Sequence, residues 1–151
     1  MKQKIIIFFK SISRGDICLY ITGLLLVLLL RYFLRGFETS DFGYYTSKWY
    51  GELRAGGFQA LGGDYSNYTP FYLYLLYIIS IVFPKMAPIT ATKLPSIAGD
   101  FICAWYVYRI VHLKYGKGPI PVLAFFCVLM APTVVLNSAA WGQADSIYTA
   151  A

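Results

Sequence analysis

Charged side chains are scarce in this sequence. Only 13% of its 151 residues are Asp, Glu, Lys or Arg, whereas 58% are hydrophobic and 19% are aromatic. A soluble domain is about half apolar and carries about a quarter of its residues as charged side chains. The shortage of charge therefore argues against a soluble globular domain and indicates an integral membrane protein.

Metal-binding and redox-active residues are also few. The single histidine, His112, lies in the basic turn "HLKYGKG" and has no second histidine with which to form a metal cluster. The three cysteines, Cys18, Cys103 and Cys127, fall in apolar stretches, and their spacing matches no zinc or redox pattern. We therefore predict that the cysteines are buried small apolar residues and that histidine and cysteine form no metal site.

The formal net charge is +6, and part of it is concentrated near the N-terminus. Four basic residues lie there: Lys2, Lys4, Lys10 and Arg14. Because Lys and Arg are enriched on the cytoplasmic side of membrane proteins, we interpret them as a cytoplasmic flank and expect no nucleic-acid partner. The following apolar run reaches Arg31 and Arg35 without a small-residue cleavage site, which favours an uncleaved membrane helix over a signal peptide.

Four apolar segments are predicted to be membrane helices, at residues 17–34, 70–83, 93–112 and 119–136. The first matches roughly 30 Å of hydrocarbon at about 1.5 Å per residue, with Arg31 expected to snorkel at its far end. Residues 137–151 hold a polar motif and the start of a further helix. We therefore predict an all-α, polytopic fold with one membrane domain over residues 1–151, and a multi-pass protein whose N-terminus is cytoplasmic.

Residues 36–69 are more polar than the apolar segments on either side. They contain four of the seven acidic residues and several glycines. Within it Phe42, Tyr45, Trp49 and Leu53 recur at helical spacing. This pattern predicts an outer loop that contains an amphipathic helix over about residues 41–54, lying on the membrane surface with its aromatic side chains at headgroup level.

The predicted topology contains a conflict. If all four segments cross, the motif "WGQADS" at 141–146 lies on the side of the N-terminus, opposite Asp41. The basic turn with Lys114 and Lys117 would then lie outside, against the positive-inside tendency. The short second segment and the fourth, which contains Pro132, are the candidates for a re-entrant or half-crossing segment. The sequence leaves this question open.

Two carboxylates are candidates for chemistry. Asp41 follows the first span closely, and it is interpreted either as a functional acid or as a helix N-cap, a position that Asp favours. Asp100, in "KLPSIAGD", lies inside an apolar segment. Placing a carboxylate there costs free energy, so such side chains face a polar cavity or a partner. The alternative for Asp100 is an interhelical salt bridge or hydrogen bond, although Arg109 is too far along the helix to be a same-face partner.

The motif "WGQADS" supplies a third polar group. Trp141 has the shape to cover a sugar face, and Gln143 and Asp145 have groups that bind hydroxyls. Gly142 between them allows close backbone approach. The alternative is an interfacial loop in which Trp141 is a belt aromatic and Asp145 caps the next helix.

The order of these motifs resembles the N-terminal third of GT-C fold glycosyltransferases, in particular the second mannosyltransferase of GPI-anchor synthesis and its bacterial relatives. The resemblance covers nearly the whole chain. It is carried by Asp41 with "YYTSKWY", by "DYSNYTPFYLYLL", and above all by "KLPSIAGD" and "NSAAWGQADS".

This resemblance implies an enzyme that moves a sugar, mannose or another hexose, from a polyprenyl-phosphate donor to an acceptor hydroxyl of a glycan or glycolipid outside the cytoplasm. Asp41 would be the general base, and the reaction would invert the anomeric carbon. Two sets of substrate-binding residues follow from the resemblance and from position. Trp141, Gln143 and Asp145 would shape the substrate site with support from Asp100, and the phosphate would be held by Lys48, Arg54 or Lys93. No cofactor is implied beyond the lipid-linked donor, and a divalent metal is left open.

The resembled enzymes are much longer and have more spans. We therefore expect this chain to be an N-terminal fragment that is inactive alone, in a bacterial cell membrane or the membrane of the endoplasmic reticulum. The alternative is a non-catalytic membrane subunit, or part of a transporter, in which the acidic residues are structural.

Overall fold

The computed structural model of this protein describes residues 14–151, and every regular element in that range is helical. The all-α class is therefore confirmed for the described residues. The basic flank predicted at residues 2–10 lies outside them, and so does the side chain of Arg14.

Seven α-helices follow one another along the described chain: α1 Arg14–Leu34, α2 Ser47–Gly56, α3 Pro70–Val82, α4 Pro88–Tyr115, α5 Pro119–Met130, α6 Pro132–Val135 and α7 Asp145–Ala150. Two π-helical segments, Phe42–Thr46 and Leu136–Trp141, and a 3-10 turn, Gly57–Gly62, connect some of them.

Proline determines where four of these helices begin. Pro70, Pro88, Pro119 and Pro132 each occupy a first-turn position, where the missing N–H leaves no hydrogen bond unmade. Helix α3 begins where the sequence predicted it, but α4 begins at Pro88, five residues before the predicted start at position 93. Pro95 consequently lies inside α4 rather than in its first turn.

Helices α1, α4 and α5 form a bundle around Val27, Ala104, Phe126 and Leu129, all of which are buried. Gly23 of α1 faces the Phe126 ring so closely that a Cβ there would lie 2.6 Å from it. Farther along α1, Arg31 contacts Asp100 of α4 and the Leu129 carbonyl of α5. Helix α5 therefore runs parallel to α1, and α4 runs antiparallel to both. The basic turn after α4 lies at the end of the bundle where α1 begins.

Helices α2 and α3 form a second layer at the opposite end. Trp49, Tyr50 and Leu53 of α2 are buried in one cluster with Tyr72 and Leu76 of α3. The buried face of α2 thus packs on protein. Two members of the predicted aromatic stripe lie outside this cluster: Phe42 is partly buried and Tyr45 is 50% exposed.

The second apolar segment does not run from one end of the bundle to the other. The Thr69 hydroxyl, just before α3, contacts the Tyr148 hydroxyl of α7. After α3, the Pro84 carbonyl accepts a hydrogen bond of 2.8 Å from Arg54 of α2, and α4 begins four residues later. Both ends of α3 therefore lie at the end of the bundle where α1 finishes.

The fourth apolar segment is broken, as the sequence allowed. The helix stops at Met130 and restarts at Pro132, and the two parts are bent by 49°. Among the described helices, residues Ile17–Leu34 alone are long and apolar enough to cross a membrane by themselves, and the bent pair adds a second if it is counted as one span. Further crossings remain a prediction.

Close packing of α7 on α4 yields a first prediction. A Cβ on Gly99 would lie 2.7 Å from the Ser146 hydroxyl oxygen and 2.9 Å from the Ile147 backbone nitrogen. We expect Gly99→Ala to lower the free energy of unfolding by about 1–3 kcal/mol, because the backbone of α7 must shift. Gly51→Ala is the matched control, since nothing lies within 4 Å of that Cβ, and it should be neutral or stabilising. Equal effects in a detergent unfolding titration would contradict the prediction.

Candidate functional site

The fold brings Asp41 and Gln143 together although 102 residues separate them. The Gln143 side-chain nitrogen lies 3.5 Å from the Asp41 carboxylate, and both side chains are partly buried. Asp41 follows α1, and Gln143 follows the broken second half of the fourth apolar segment. The two polar motifs singled out in the sequence therefore lie at one end of the molecule.

Asp41 is not the helix N-cap that its position allowed. Its backbone is already helical, at φ −62° and ψ −37°, and its side chain makes no capping hydrogen bond. The cap is Thr39, whose hydroxyl oxygen accepts from the Phe42 N–H at 3.3 Å. Because Thr39 fills the capping role, the Asp41 carboxylate is available for another partner.

The Tyr68 hydroxyl lies within electrostatic reach of a carboxylate from each of the two motifs. Burial raises the pKa of its hydroxyl, and the negative charges of Asp145 and Asp41 raise that pKa further. The hydroxyl therefore stays protonated and remains a donor beside two carboxylates. Its ring packs against Trp49 at a centroid distance of 5.0 Å and against Tyr72 at 5.3 Å, which fixes it in place.

Asp145 is exposed in the first turn of α7 and makes no capping hydrogen bond. Its carboxylate instead accepts a hydrogen bond of 3.2 Å from the Asn137 side chain. The cap that the sequence offered as an alternative is thus not formed. Asp145 and Asn137 also line an open groove of about 520 Å³ with Thr133, Ser146 and Thr149.

A glycine turn aims Gln143 at Asp41. The π-helical segment ends at Trp141, and Gly142 has a φ of +70°, a conformation that favours glycine. The N–H groups of Gly142 and Gln143 close the turn on the carbonyls of Ser138 and Asn137, at 3.1 and 3.0 Å. Trp141, immediately before the turn, keeps its indole 44% exposed.

Asp100 is held in an interhelical ion pair. Its carboxylate lies 2.9 Å from the Arg31 guanidinium and also accepts a hydrogen bond from the Ser138 hydroxyl. Arg31 donates a further hydrogen bond of 3.0 Å to the Leu129 carbonyl. The expectation that Arg31 snorkels to the membrane surface is therefore wrong, because this side chain turns inward and is only 5% exposed. The pair ties α1, α4 and the segment before "WGQADS" together.

The three cations proposed for phosphate binding differ in their surroundings. Lys48 is exposed on α2. Arg54 is exposed as well, but it donates to the Pro84 carbonyl and lies 5.8 Å from the Tyr50 ring. Lys93 is buried, and its ammonium contacts three backbone carbonyls after α1. Lys48 is the one of the three whose side chain is fully presented to solvent.

Sequence reasoning missed several residues of this site, namely Tyr68, Asn137, Thr39 and Tyr148. Tyr68 was visible only as one aromatic among many in "DYSNYTPFY". Asn137 stood inside "NSAAWGQADS", and its spacing of eight residues from Asp145 predicts no contact in a regular helix. The bend at the π-helical segment and Gly142 brings it within reach.

The prediction that the cysteines are buried is wrong, because Cys18 and Cys127 are exposed and Cys103 is partly buried. No cluster of three or more His, Cys, Asp or Glu side chains with metal-binding geometry occurs among residues 14–151. Comparison with known proteins finds no matching family model, no matching curated protein and no matching solved structure.

Proposed function

We propose that this chain carries the catalytic base of a membrane glycosyltransferase. The enzyme transfers a hexose, mannose in the resembled family, from a polyprenyl-phosphate donor to an acceptor hydroxyl at the non-cytoplasmic face. The observation that carries the proposal is the approach of Gln143 to Asp41, because two motifs chosen separately in the sequence meet at one site.

Asp41 has the chemistry that the transfer needs. A sugar hydroxyl is a weak nucleophile, and a positioned carboxylate activates it by taking its proton. The acceptor oxygen then forms a bond to the anomeric carbon while the bond from that carbon to the phosphate oxygen breaks. The lipid phosphate leaves as an anion and needs no separate acid. A single displacement inverts the anomeric configuration.

Gln143, which contacts Asp41, and the polar residues of the groove supply binding groups for the sugar. The Gln143 amide orients the carboxylate and presents its own oxygen to a hydroxyl. Asp145 and Asn137 add further acceptors and donors along the groove, and the exposed indole of Trp141 offers an apolar face to a sugar ring. Lys48 remains the candidate cation for the donor phosphate. Asp100, already paired with Arg31, supports the site because it also binds Ser138 in the segment before "WGQADS".

The bundle supports a membrane arrangement for the proposed enzyme. With a cytoplasmic N-terminus, α1, α4 and α5 cross, and the layer of α2 and α3 lies on the outer face with Asp41 and Gln143. Lys114 and Lys117 then lie on the cytoplasmic side, in agreement with the positive-inside tendency. The host membrane is that of a bacterial cell or of the endoplasmic reticulum.

The test is transfer of radiolabelled mannose from polyprenyl-phosphate-mannose to membrane glycolipids, in membranes with and without the full-length protein that contains this chain. We expect Gln143→Ala to lower kcat about tenfold, the size of one lost orienting hydrogen bond of about 1.4 kcal/mol. Gln59→Ala is the matched control, because Gln59 is exposed on the 3-10 turn. Transfer that is absent with the native full-length protein, or equal in the two variants, would speak for a non-catalytic membrane subunit.

A further inference from the structure

Lys93 contacts both halves of the proposed site from a buried position. The side chain is only 3% exposed and lies one and a half turns into α4. Its surroundings include backbone atoms from two segments, the chain leaving α1 and the turn at Gly142, and the charge of Glu38 also acts on its ammonium. A lysine buried in this way needs a partner for each of its three N–H donors.

The ammonium finds three acceptors at the end of α1. The Lys93 Nζ lies 3.0 Å from the Leu34 carbonyl, 3.5 Å from the Arg35 carbonyl and 2.7 Å from the Phe37 carbonyl. Carbonyls at a helix C-terminus have no partner within the helix and carry a partial negative charge, so a cation is favourable there. The three donors are thereby used, and none is left for a donor phosphate.

The carbon stem of the same side chain meets the other half of the site. A Cβ on Gly142 would lie 3.1 Å from the Lys93 Cγ, so the turn rests directly on this stem. Gly142 precedes Gln143, and Phe37 precedes Asp41 by four residues. Lys93 is therefore in contact with both segments whose side chains meet at the Asp41–Gln143 pair.

We infer that Lys93 is a positioning residue, which sets the separation of Asp41 and Gln143 by binding the carbonyls after α1 and supporting the Gly142 turn. This role rests on the proposed function for its effect on catalysis. The geometric part stands independently of whether the chain transfers sugar. It replaces the phosphate-binding role that position alone assigned to Lys93.

The geometry is tested by cross-linking. In a background where Cys18, Cys103 and Cys127 are replaced by Ala, D41C and Q143C are introduced and treated with a short bifunctional methanethiosulfonate. Lys93→Met keeps the carbon stem but removes the ammonium, and we expect it to lower the cross-linking yield at least threefold. Lys93→Arg keeps the cation and should retain at least half of the yield. Lys85→Met, an exposed lysine change between α3 and α4, is the matched control and should leave the yield unchanged.

A second cysteine pair reports the fold itself. T69C and Y148C join two residues whose side chains touch each other. Neither side chain is hydrogen-bonded to Lys93, whose acceptors are the carbonyls after α1. Their yield should be equal with Lys93 and with Lys93→Met. An unchanged cross-linking yield between positions 41 and 143 in Lys93→Met overturns the inference. An equal loss of yield at both cysteine pairs, in Lys93→Met and in Lys93→Arg, overturns it as well, because Lys93 would then stabilise the fold as a whole.

Kinetics separate positioning from phosphate binding in the native background. If Lys93 positions Asp41, Lys93→Met lowers kcat about tenfold or more and leaves KM for polyprenyl-phosphate-mannose nearly unchanged. A raised KM with an unchanged kcat would assign Lys93 to the phosphate and overturn the inference. Absence of transfer by the native full-length protein would refute the proposed function, whereas the cross-linking result would still decide the geometry.

Discussion

Replacing Asp41 with Asn should lower kcat for sugar transfer by about 10²–10⁴-fold, the range for loss of a general base. The amide has the shape of the carboxylate and still accepts a hydrogen bond from Gln143, but it does not take a proton from the acceptor hydroxyl. Because the Thr39 cap and the backbone around Asp41 are untouched, the helix that begins there should persist. The measurement is transfer from polyprenyl-phosphate-mannose, at matched protein levels in membranes.

Asp64→Asn is the control for this change. Asp64 lies in the same outer segment and is exposed, and no catalytic role is proposed for it. It should retain activity within about twofold, the difference expected for a surface change below ~0.5 kcal/mol. Both variants should reach the membrane fraction in equal amounts. Full transfer by Asp41→Asn would remove Asp41 as the base and leave the acidic residues of this chain with structural roles.

The second large effect concerns the buried ion pair of Arg31 and Asp100. Arg31→Met should lower the free energy of unfolding by about 3–5 kcal/mol, because the Asp100 carboxylate is left buried without its cation. Both side chains are almost inaccessible, at 5% and 2% exposed, so water does not replace the lost partner. Far-UV circular dichroism during titration of detergent micelles with sodium dodecyl sulfate measures the loss.

A double replacement distinguishes the pair from its parts. Arg31→Met with Asp100→Leu removes both charges and should recover most of the stability, since a buried pair is often no better than apolar side chains of similar volume. Arg35→Met is the matched control. Arg35 is exposed and makes a local hydrogen bond of 2.8 Å to the Tyr32 carbonyl, so its loss should change stability by no more than about 1 kcal/mol. Additive effects of the two single changes would show that Arg31 and Asp100 are not coupled.

Local features of the fold were readable from the sequence. Pro70 and Pro119 mark helix starts, and the break in the fourth apolar segment falls at Pro132, because proline restricts its own φ and lacks an N–H wherever it stands. The apolar run over Ile17–Leu34 was recognised from length and composition, properties that do not depend on the rest of the chain.

Contacts between side chains on different helices could not be predicted from the sequence. Arg109 was considered and set aside as a partner for Asp100 because the spacing on one helix was wrong. The true partner, Arg31, lies 69 residues away on α1. Lys93 was assigned to phosphate from its position, yet its acceptors are backbone carbonyls up to 59 residues away, and backbone atoms leave no signature in a side-chain pattern.

The sequence by itself determined that this chain is helical and apolar, where several of its helices begin, and which polar residues stand out from the apolar background. Periodicity and proline act over a few residues, so these properties are local. Only the tertiary structure decided that α3 has both ends at one end of the bundle, that Arg31 turns inward to Asp100, and that Gln143 reaches Asp41. Those outcomes depend on the directions in which α1, α4 and α5 pack, and packing directions are set by contacts between residues far apart in the chain.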